Sequence, residues 1–143
     1  MTLRGAYSAR AVLNLGRHFG NGLRKSREIA EETSVPINFL HELLANLVRE
    51  GLVVSVAGPK GGYTLSRPPQ ELTLLEVIEA AEGAIPSSDC ELCGGECGWD
   101  GPCPLRQAWA RGQESLAAEL GSTSFMELEQ RRTPPDGSAR RAE

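Results

Sequence analysis

The chain has 143 residues, of which 40% are hydrophobic and 5% aromatic, enough for one domain with a mainly aliphatic core. No apolar run approaches the roughly 18 residues of a membrane span, and the first residues lack the apolar stretch of a secretory signal. We therefore expect a cytoplasmic protein without a membrane partner. The net charge of −4 is uneven: residues 1–70 carry +4 and residues 71–143 carry −8. This fits a basic contact half, although ordinary surface variation also produces such asymmetry.

Three helices are predicted in the first fifty residues. Apolar residues recur at three- and four-residue steps over 3–19, which predicts the first helix. Ser26 is a good N-cap for a short second helix over 26–32. Pro36 suits the first turn of a third helix, and Gly51 stands where its C-cap is expected.

A β-hairpin is predicted directly after these helices. Residues 52–56 and 63–65 are rich in strand-forming side chains, and the glycine-rich segment 57–62 between them predicts a turn. Helix, short helix, tight turn, helix and hairpin is the order of a winged helix-turn-helix. In that motif the helix after the turn enters the major groove of DNA, and the hairpin tip lies along the backbone or minor groove. We therefore expect a mainly α fold with a small β-hairpin wing.

The second half of the chain predicts further helices around an irregular segment. Thr73 and Glu76 form a capping box for a helix that Gly83 ends. Pro104 begins a longer helix that Gly121 is expected to stop. The predicted organisation is a DNA-binding domain at 1–83, a cysteine-rich loop at 84–103, a long helix with a short terminal helix at 104–132, and a disordered tail at 133–143.

All four cysteines lie in the irregular segment, with the spacing C-x2-C-x3-C-x5-C among glycine, proline and acidic residues. Four thiols this close in sequence can converge on one metal ion or cluster. Thiolates are the soft ligands that iron–sulfur clusters and Zn²⁺ both prefer. A cysteine pair that oxidises to a disulfide and four unused thiols are the alternatives. The candidate ligands are Cys90, Cys93, Cys97 and Cys103.

Base contacts are expected near the start of the third helix. Removing the apolar stripe leaves Asn38, His41, Glu42, Ala45 and Asn46 facing outward. Asn38 can bond adenine, His41 can contact a base or a phosphate, and Glu42 can accept a hydrogen bond from cytosine N4. The alternative for each of them is a solvated helix position.

Phosphate contacts are expected from basic side chains around this helix. Lys60 stands at the predicted hairpin tip, where flanking glycines let the backbone approach a duplex closely. The alternative is a turn lysine without a partner. Four further residues are candidate anchors on the DNA backbone or plain surface charges: Arg10, Arg24, Lys25 and Arg27.

Several short motifs follow one another in a fixed order. They are Tyr7 with Ala-Val-Leu at 11–13, Glu-Ile-Ala at 28–30, Val-Pro at 35–36 with Leu40, Gly-Leu-Val at 51–53, Gly-Pro-Lys-Gly-Gly-Tyr-Thr-Leu at 58–65, Arg-Pro-Pro at 67–69, Leu-Leu-Glu-Val-Ile at 74–78, and Cys-Pro-Leu at 103–105 with Trp109. From about residue 3 to 130 this order resembles the Rrf2 family of bacterial transcription regulators. The resemblance implies a homodimeric repressor or activator whose dimer is built largely on the helix at about 104–120.

The resemblance also implies a cofactor. Many family members sense iron–sulfur status, nitric oxide or redox state through a [2Fe-2S] or [4Fe-4S] cluster held by three cysteines. Cys97 and Cys103 match the last two of these, and Cys90 or Cys93 matches the first. Where some relatives have a histidine as fourth ligand this chain has Arg106, and residues 5–7 hold no acid where others have one. We therefore hypothesise an all-cysteine site, with Zn²⁺ as the main competing occupant.

The sequence thus favours a cluster-sensing regulator that binds a near-palindromic double-stranded operator as a homodimer. Ala57 replaces a basic residue that is frequent in the family, so the operator sequence is left open. Trp109 is expected to pack in the core. No residue pattern suggests catalysis, so an enzyme is not predicted. The rivals are a small metal-binding or electron-transfer protein and a winged-helix domain that binds other proteins.

Overall fold

A computed structural model describes residues 2–84 and 103–131. Most of the predicted cysteine loop and the predicted disordered tail lie outside these residues. The described chain is mainly helical with one antiparallel hairpin, which confirms the predicted fold class. Its elements are α1 (Leu3–Arg17), α2 (Ser26–Thr33), α3 (Ile37–Arg49), β1 (Val53–Val56), β2 (Gly62–Leu65), α4 (Leu74–Glu82), α5 (Arg106–Ser122) and α6 (Phe125–Gln130).

The turn between α2 and α3 places the recognition helix of the motif. Ser34 adopts the left-handed conformation, with φ of 58°, which reverses the chain in a short turn. Pro36 precedes α3 as its N-cap residue, one position earlier than the first turn predicted for it. Gly51 follows α3 with φ of 77°, as the predicted C-cap position requires.

The predicted N-cap of α2 is wrong. The helix is preceded by Lys25, and Ser26 is its first residue. The Glu28 carboxylate accepts a hydrogen bond from the Lys25 backbone N–H at 2.9 Å, which satisfies a donor at this helix end. The Ser26 hydroxyl lies instead 3.0 Å from His41 Nε2 on α3.

The hairpin is fastened to the chain just before α2. Val53 pairs with Leu65 in the ladder, and both side chains are buried. Arg24 and Tyr63 exchange two backbone hydrogen bonds, of 2.9 and 2.8 Å, so residue 24 acts as a short third strand. A Cβ at Gly61 would collide with the Val56 carbonyl oxygen. This turn therefore needs glycine because of a close backbone approach.

A single aliphatic core joins all the helices except α5. It includes side chains of α3 that are fully buried: Leu40, Leu43, Leu44 and Leu47. Phe125 of α6 closes the same core, although it lies 60 residues and more from most of its partners in the chain. Thr73 and Glu76 form the predicted capping box of α4, with hydrogen bonds of 2.9 and 3.3 Å.

Helix α5 differs most from its prediction. It begins at Arg106, two residues after Pro104, and runs through Gly121 to Ser122. The φ of Gly121 is not positive, so this glycine continues the helix and does not stop it as expected. It lies against Leu75 of α4. No residue of α5 is buried. The expected core position of Trp109 is therefore wrong, since 44% of its surface is exposed.

Candidate nucleic-acid interface and cysteine site

The outer face of α3 carries exposed polar side chains near the start of the helix. Asn38, His41, Glu42 and Ala45 are exposed, whereas the opposite face is buried in the core. This leaves the predicted base-reading residues available to a duplex. Their contact with bases remains a prediction.

Asn46 does not belong to this outer face, which corrects the prediction for this residue. It is 8% exposed, and its Nδ2 donates a 2.8 Å hydrogen bond to the Ala80 carbonyl in the last turn of α4. Its Oδ1 accepts a hydrogen bond from Arg49 at 3.1 Å. Asn46 therefore turns toward α4 because an unpaired carbonyl there provides an acceptor.

Two of the predicted base readers have side-chain partners within the chain. His41 Nε2 lies 3.0 Å from the Ser26 hydroxyl, so the start of α2 orients the imidazole. Glu42 accepts a 2.9 Å hydrogen bond from the Arg4 guanidinium of α1. Among the residues that the structure describes, Asn38 has no recorded hydrogen bond and is free to turn.

Arg24 is held by carboxylates of α2. Its guanidinium lies 3.7 Å from Glu28 and closer still to Glu32, and only 16% of its side chain is exposed. Asn14 donates a 2.6 Å hydrogen bond to the same Glu32 carboxylate. Hydrogen bonds from Asn14 and Arg24 hold the pKa of Glu32 below its usual value. A DNA contact by Arg24 would compete with these partners.

Lys25 braces the hairpin. Its Nζ donates to the carbonyl oxygens of Pro59 at 2.7 Å and Gly61 at 3.2 Å. These two residues flank Lys60, which is exposed at the tip of the hairpin. The sequence left Lys25 as a candidate DNA-backbone anchor or a plain surface charge. The structure places its ammonium against the wing turn, and a phosphate contact by Lys25 stays a prediction.

Three other basic candidates remain accessible. Within residues 2–84 and 103–131, neither Lys60 nor Arg27 has a recorded hydrogen bond or ion pair. The Arg10 guanidinium lies 5.5 Å from the centre of the Tyr7 ring, which supports its stem and leaves it exposed. These three have the accessible charge that a phosphate contact requires.

Only the last of the four predicted metal ligands lies in the described residues. Cys103 is free and half-buried, and its carbonyl accepts a hydrogen bond from Arg106 N at 3.3 Å as α5 begins. Cys90, Cys93 and Cys97 lie outside the described residues. Within the described ranges, no group of three or more His, Cys, Asp and Glu side chains is placed to hold a metal ion.

The histidines of this chain are engaged far from Cys103 in sequence. His18 lies 3.5 Å from Glu32, and His41 bonds Ser26, so both serve the N-terminal half. The chain has no other histidine. The cysteine segment therefore offers thiols and no histidine as ligands. Thiolates fit an iron–sulfur cluster or Zn²⁺.

Sequence reasoning missed Arg4 altogether. Its guanidinium joins Glu42, 38 positions away, and donates through Nε to the Ala81 carbonyl, 77 positions away. No local periodicity carries information on such distant partners. The only signal was a charged residue in the first turn of the helix.

A helix-turn-helix with an accessible polar face, followed by a glycine-rich wing, defines the winged-helix class of DNA-binding proteins. A family model described as Rrf2, an iron-dependent transcriptional regulator, matches residues 1–131. The chain belongs to the Rrf2 family and is a DNA-binding transcription regulator. In the described residues, no helix is long and apolar enough to span a membrane.

Known relatives agree with this assignment. The HTH-type transcriptional regulator IscR of Xenorhabdus nematophila is 32% identical over 128 residues, which cover 90% of this chain and 77% of that protein. CymR, the global cysteine regulator of B. subtilis, has a similar structure, with a TM-score of 0.79, 26% identity and coverage of 93% and 98% of the two chains. IscR of T. potens follows with a TM-score of 0.75, 27% identity and coverage of 91% and 85%.

Proposed function

We propose that this chain is a homodimeric transcription regulator whose operator affinity is set by an iron–sulfur cluster. The ligands in this proposal are Cys90, Cys93, Cys97 and Cys103. The observation that supports it most is the position of Cys103, three residues before the start of α5. The last thiol of the set thereby adjoins a helix whose exposed apolar face suits a dimer contact.

The donor set favours a thiolate-ligated group. Four cysteines within fourteen positions provide a complete set of soft ligands. Both histidines have other partners, which supports an all-cysteine site over a mixed one. When bound, an iron–sulfur cluster supplies a group whose ligation responds to oxidation, nitric oxide and iron supply.

The dimer is proposed to form through one face of α5. At 100° per residue, Leu105, Trp109, Gly112 and Leu116 fall within about 60° of one another around the helix and its first turn. The three large side chains are 63%, 44% and 51% exposed. Gly112 carries no side chain to keep a second helix away. Such a stripe is typical of a helix that pairs with its counterpart in a second copy.

The DNA contact is proposed to use α3 and the wing. Asn38, His41 and Glu42 would face base edges in the major groove, while Lys60, Arg10 and Arg27 would contact phosphates. Two protomers would then read successive major grooves of a near-palindromic operator. A change in how well ordered the cysteine segment is would change the spacing of the two recognition helices. The affinity for the operator would change with this spacing.

A thiol-based or zinc-stabilised regulator is the second candidate. It is favoured by the similarity to CymR, which is described as a global cysteine regulator and is known in an oxidised form from Staphylococcus aureus. Cys103 is free and half-buried, and is therefore a possible partner for a disulfide. This candidate shares the same fold, dimer and DNA face.

The two candidates differ in metal and sulfide content. Full-length protein made in iron-rich cells and purified without oxygen is expected to be coloured, with iron and acid-labile sulfide in equal amounts. Replacing Cys97 or Cys103 by Ser should abolish both, while the variants at Cys90 and Cys93 show whether each is required. A colourless protein with stoichiometric zinc and no sulfide would contradict the cluster. Circular dichroism of each variant checks that the helices are retained.

A further inference from the structure

The last turn of α4 is held by side chains from two other helices. The Ala80 carbonyl accepts from Asn46 of α3 at 2.8 Å, and the Ala81 carbonyl accepts from Arg4 Nε of α1 at 3.1 Å. The Glu82 carboxylate accepts from the Thr2 hydroxyl at 2.6 Å and from the Thr2 backbone N–H. Three consecutive residues at the end of α4 are therefore each bound by a separate donor residue.

The guanidinium of Arg4 donates hydrogen bonds to two partners. While Nε donates to Ala81, the terminal nitrogen donates to Glu42 at 2.9 Å on the outer face of α3. The guanidinium is planar and rigid, so these two bonds fix the Glu42 carboxylate relative to the end of α4. Without this bond Glu42, whose side chain is 63% exposed, would rotate freely in solvent.

We propose that Arg4 is a positioning residue for DNA recognition, which fixes the Glu42 carboxylate on the recognition helix and ties it to the last turn of α4. Glu42 then accepts from cytosine N4 in one defined orientation. The positive charge of Arg4 also offsets the repulsion between this carboxylate and the phosphates. Since α4 leads at Ala84 into the segment with the first three cysteines, a shift of its end would move Arg4 and with it Glu42.

This inference rests on the part of the proposed function in which α3 reads the major groove, and it does not depend on the cofactor. It predicts that substitutions at Arg4 and Glu42 act alike on base preference and oppositely on affinity. Arg4→Gln leaves a mobile, uncompensated carboxylate, so affinity for all duplexes falls and the preference for cytosine at one position drops about fivefold. Glu42→Gln weakens the same preference, because an amide can pair with adenine as well, but affinity for all duplexes rises because a negative charge has gone.

The test is selection of duplexes from a random-sequence pool by full-length protein, followed by titration of the selected duplex and its single-base variants. The variants are Arg4→Gln, Glu42→Gln, the double variant, and Arg17→Gln as a charge-matched control on α1. The double variant should show the base preference of Glu42→Gln with no further change, and Arg17→Gln should keep the wild-type preference. Thermal unfolding of each variant distinguishes a loss of folded protein from a loss of base recognition.

A change in affinity of Arg4→Gln with an unaltered base preference would overturn the inference, as would additive changes in preference in the double variant. After either result the wild type would still select a motif, so the proposed function would stand. A wild-type protein that selects no motif would contradict the proposed function itself and, with it, a reading role for Glu42.

Discussion

At the scale of single residues, polar side chains are engaged by partners that no local pattern indicates. The sequence correctly indicated that Asn38, His41 and Glu42 lie on the exposed face of α3, because the apolar stripe fixes which face is buried. It misplaced Asn46, which lies at the edge of that stripe. There a free carbonyl of α4, 34 positions away, decides the orientation of the side chain.

Glu129 of α6 is a half-buried acid whose environment opposes its charge. Its Oε1 is buried without a hydrogen-bond partner, close to where Gly16 of α1 leaves room for it. Burial raises the pKa of Glu129, and the nearby positive charge of Arg17 lowers it only in part. The protonated acid is therefore favoured by the folded state. Its contribution to stability is complete below the unfolded pKa of 4.5 and is lost as pH rises through the folded pKa.

We therefore expect Glu129→Gln to raise the free energy of unfolding at neutral pH by about 1 kcal/mol, because the amide does not carry the charge that burial disfavours. The gain should vanish at about pH 4, where the wild-type acid is protonated as well. Urea unfolding at both pH values measures it. Glu127→Gln is the matched control, since this exposed acid forms a 2.7 Å ion pair with Arg131. A gain from Glu129→Gln that did not depend on pH would contradict the assignment.

At the scale of elements, the helix-turn-helix and the wing were predictable because their signals are local. Glycines, a proline and apolar periodicity fix α2, the turn, α3 and the hairpin within a few residues. Helix α5 was predicted with the correct length, but the core position expected for Trp109 is wrong. Its apolar residues have no buried position in this chain, and a sequence does not state whether an apolar stripe faces its own core or a second copy.

The wing depends on Lys25, and this predicts a non-additive pair of substitutions. Lys60→Met should reduce the magnitude of the negative slope of the logarithm of the DNA-binding constant against the logarithm of salt concentration by about 1. This corresponds to the loss of one phosphate contact. Lys25→Met should lower this magnitude by no more than that, because it acts by loosening the turn that presents Lys60. The double variant should again lose about 1. Titration of non-specific duplex DNA over a range of salt concentrations measures these slopes.

Arg27 provides the matched comparison for this cycle. It is basic and exposed on α2, the helix that Lys25 precedes, but within the described residues it forms no hydrogen bond or ion pair. Arg27→Met combined with Lys60→Met should therefore lower the slope by about 2, as for two independent contacts. A fall of about 2 in the variant that combines Lys25→Met and Lys60→Met would mean that Lys25 binds a phosphate directly.

At the scale of the whole molecule, the proposed function depends on a contact between two protomers. Helix α5 packs on α4 through Gly121 and Leu75, near its C-terminal end. The stripe of Leu105, Trp109 and Leu116 is exposed in the part of the chain that the structure describes. A second copy seated on this stripe would place two recognition helices on one duplex.

Leu116→Glu should convert the protein to a monomer, because it places a charge in the apolar stripe. Ala118→Glu is the control, as it adds the same charge about 200° around the helix at an exposed position. Sedimentation equilibrium of both variants measures their mass. A dimer that survives Leu116→Glu and dissociates with Ala118→Glu would move the interface to another face of α5.

Binding of DNA before and after removal of the proposed cluster decides whether this cluster controls the operator affinity. Anaerobic protein with and without the cluster is titrated against the duplex that the wild type selects and against an unrelated duplex at the same salt concentration. We predict that the two forms differ by about tenfold or more for the selected duplex and by much less for the unrelated one. Equal affinities of the two forms for the selected duplex would contradict control of this regulator by a cluster at Cys90, Cys93, Cys97 and Cys103.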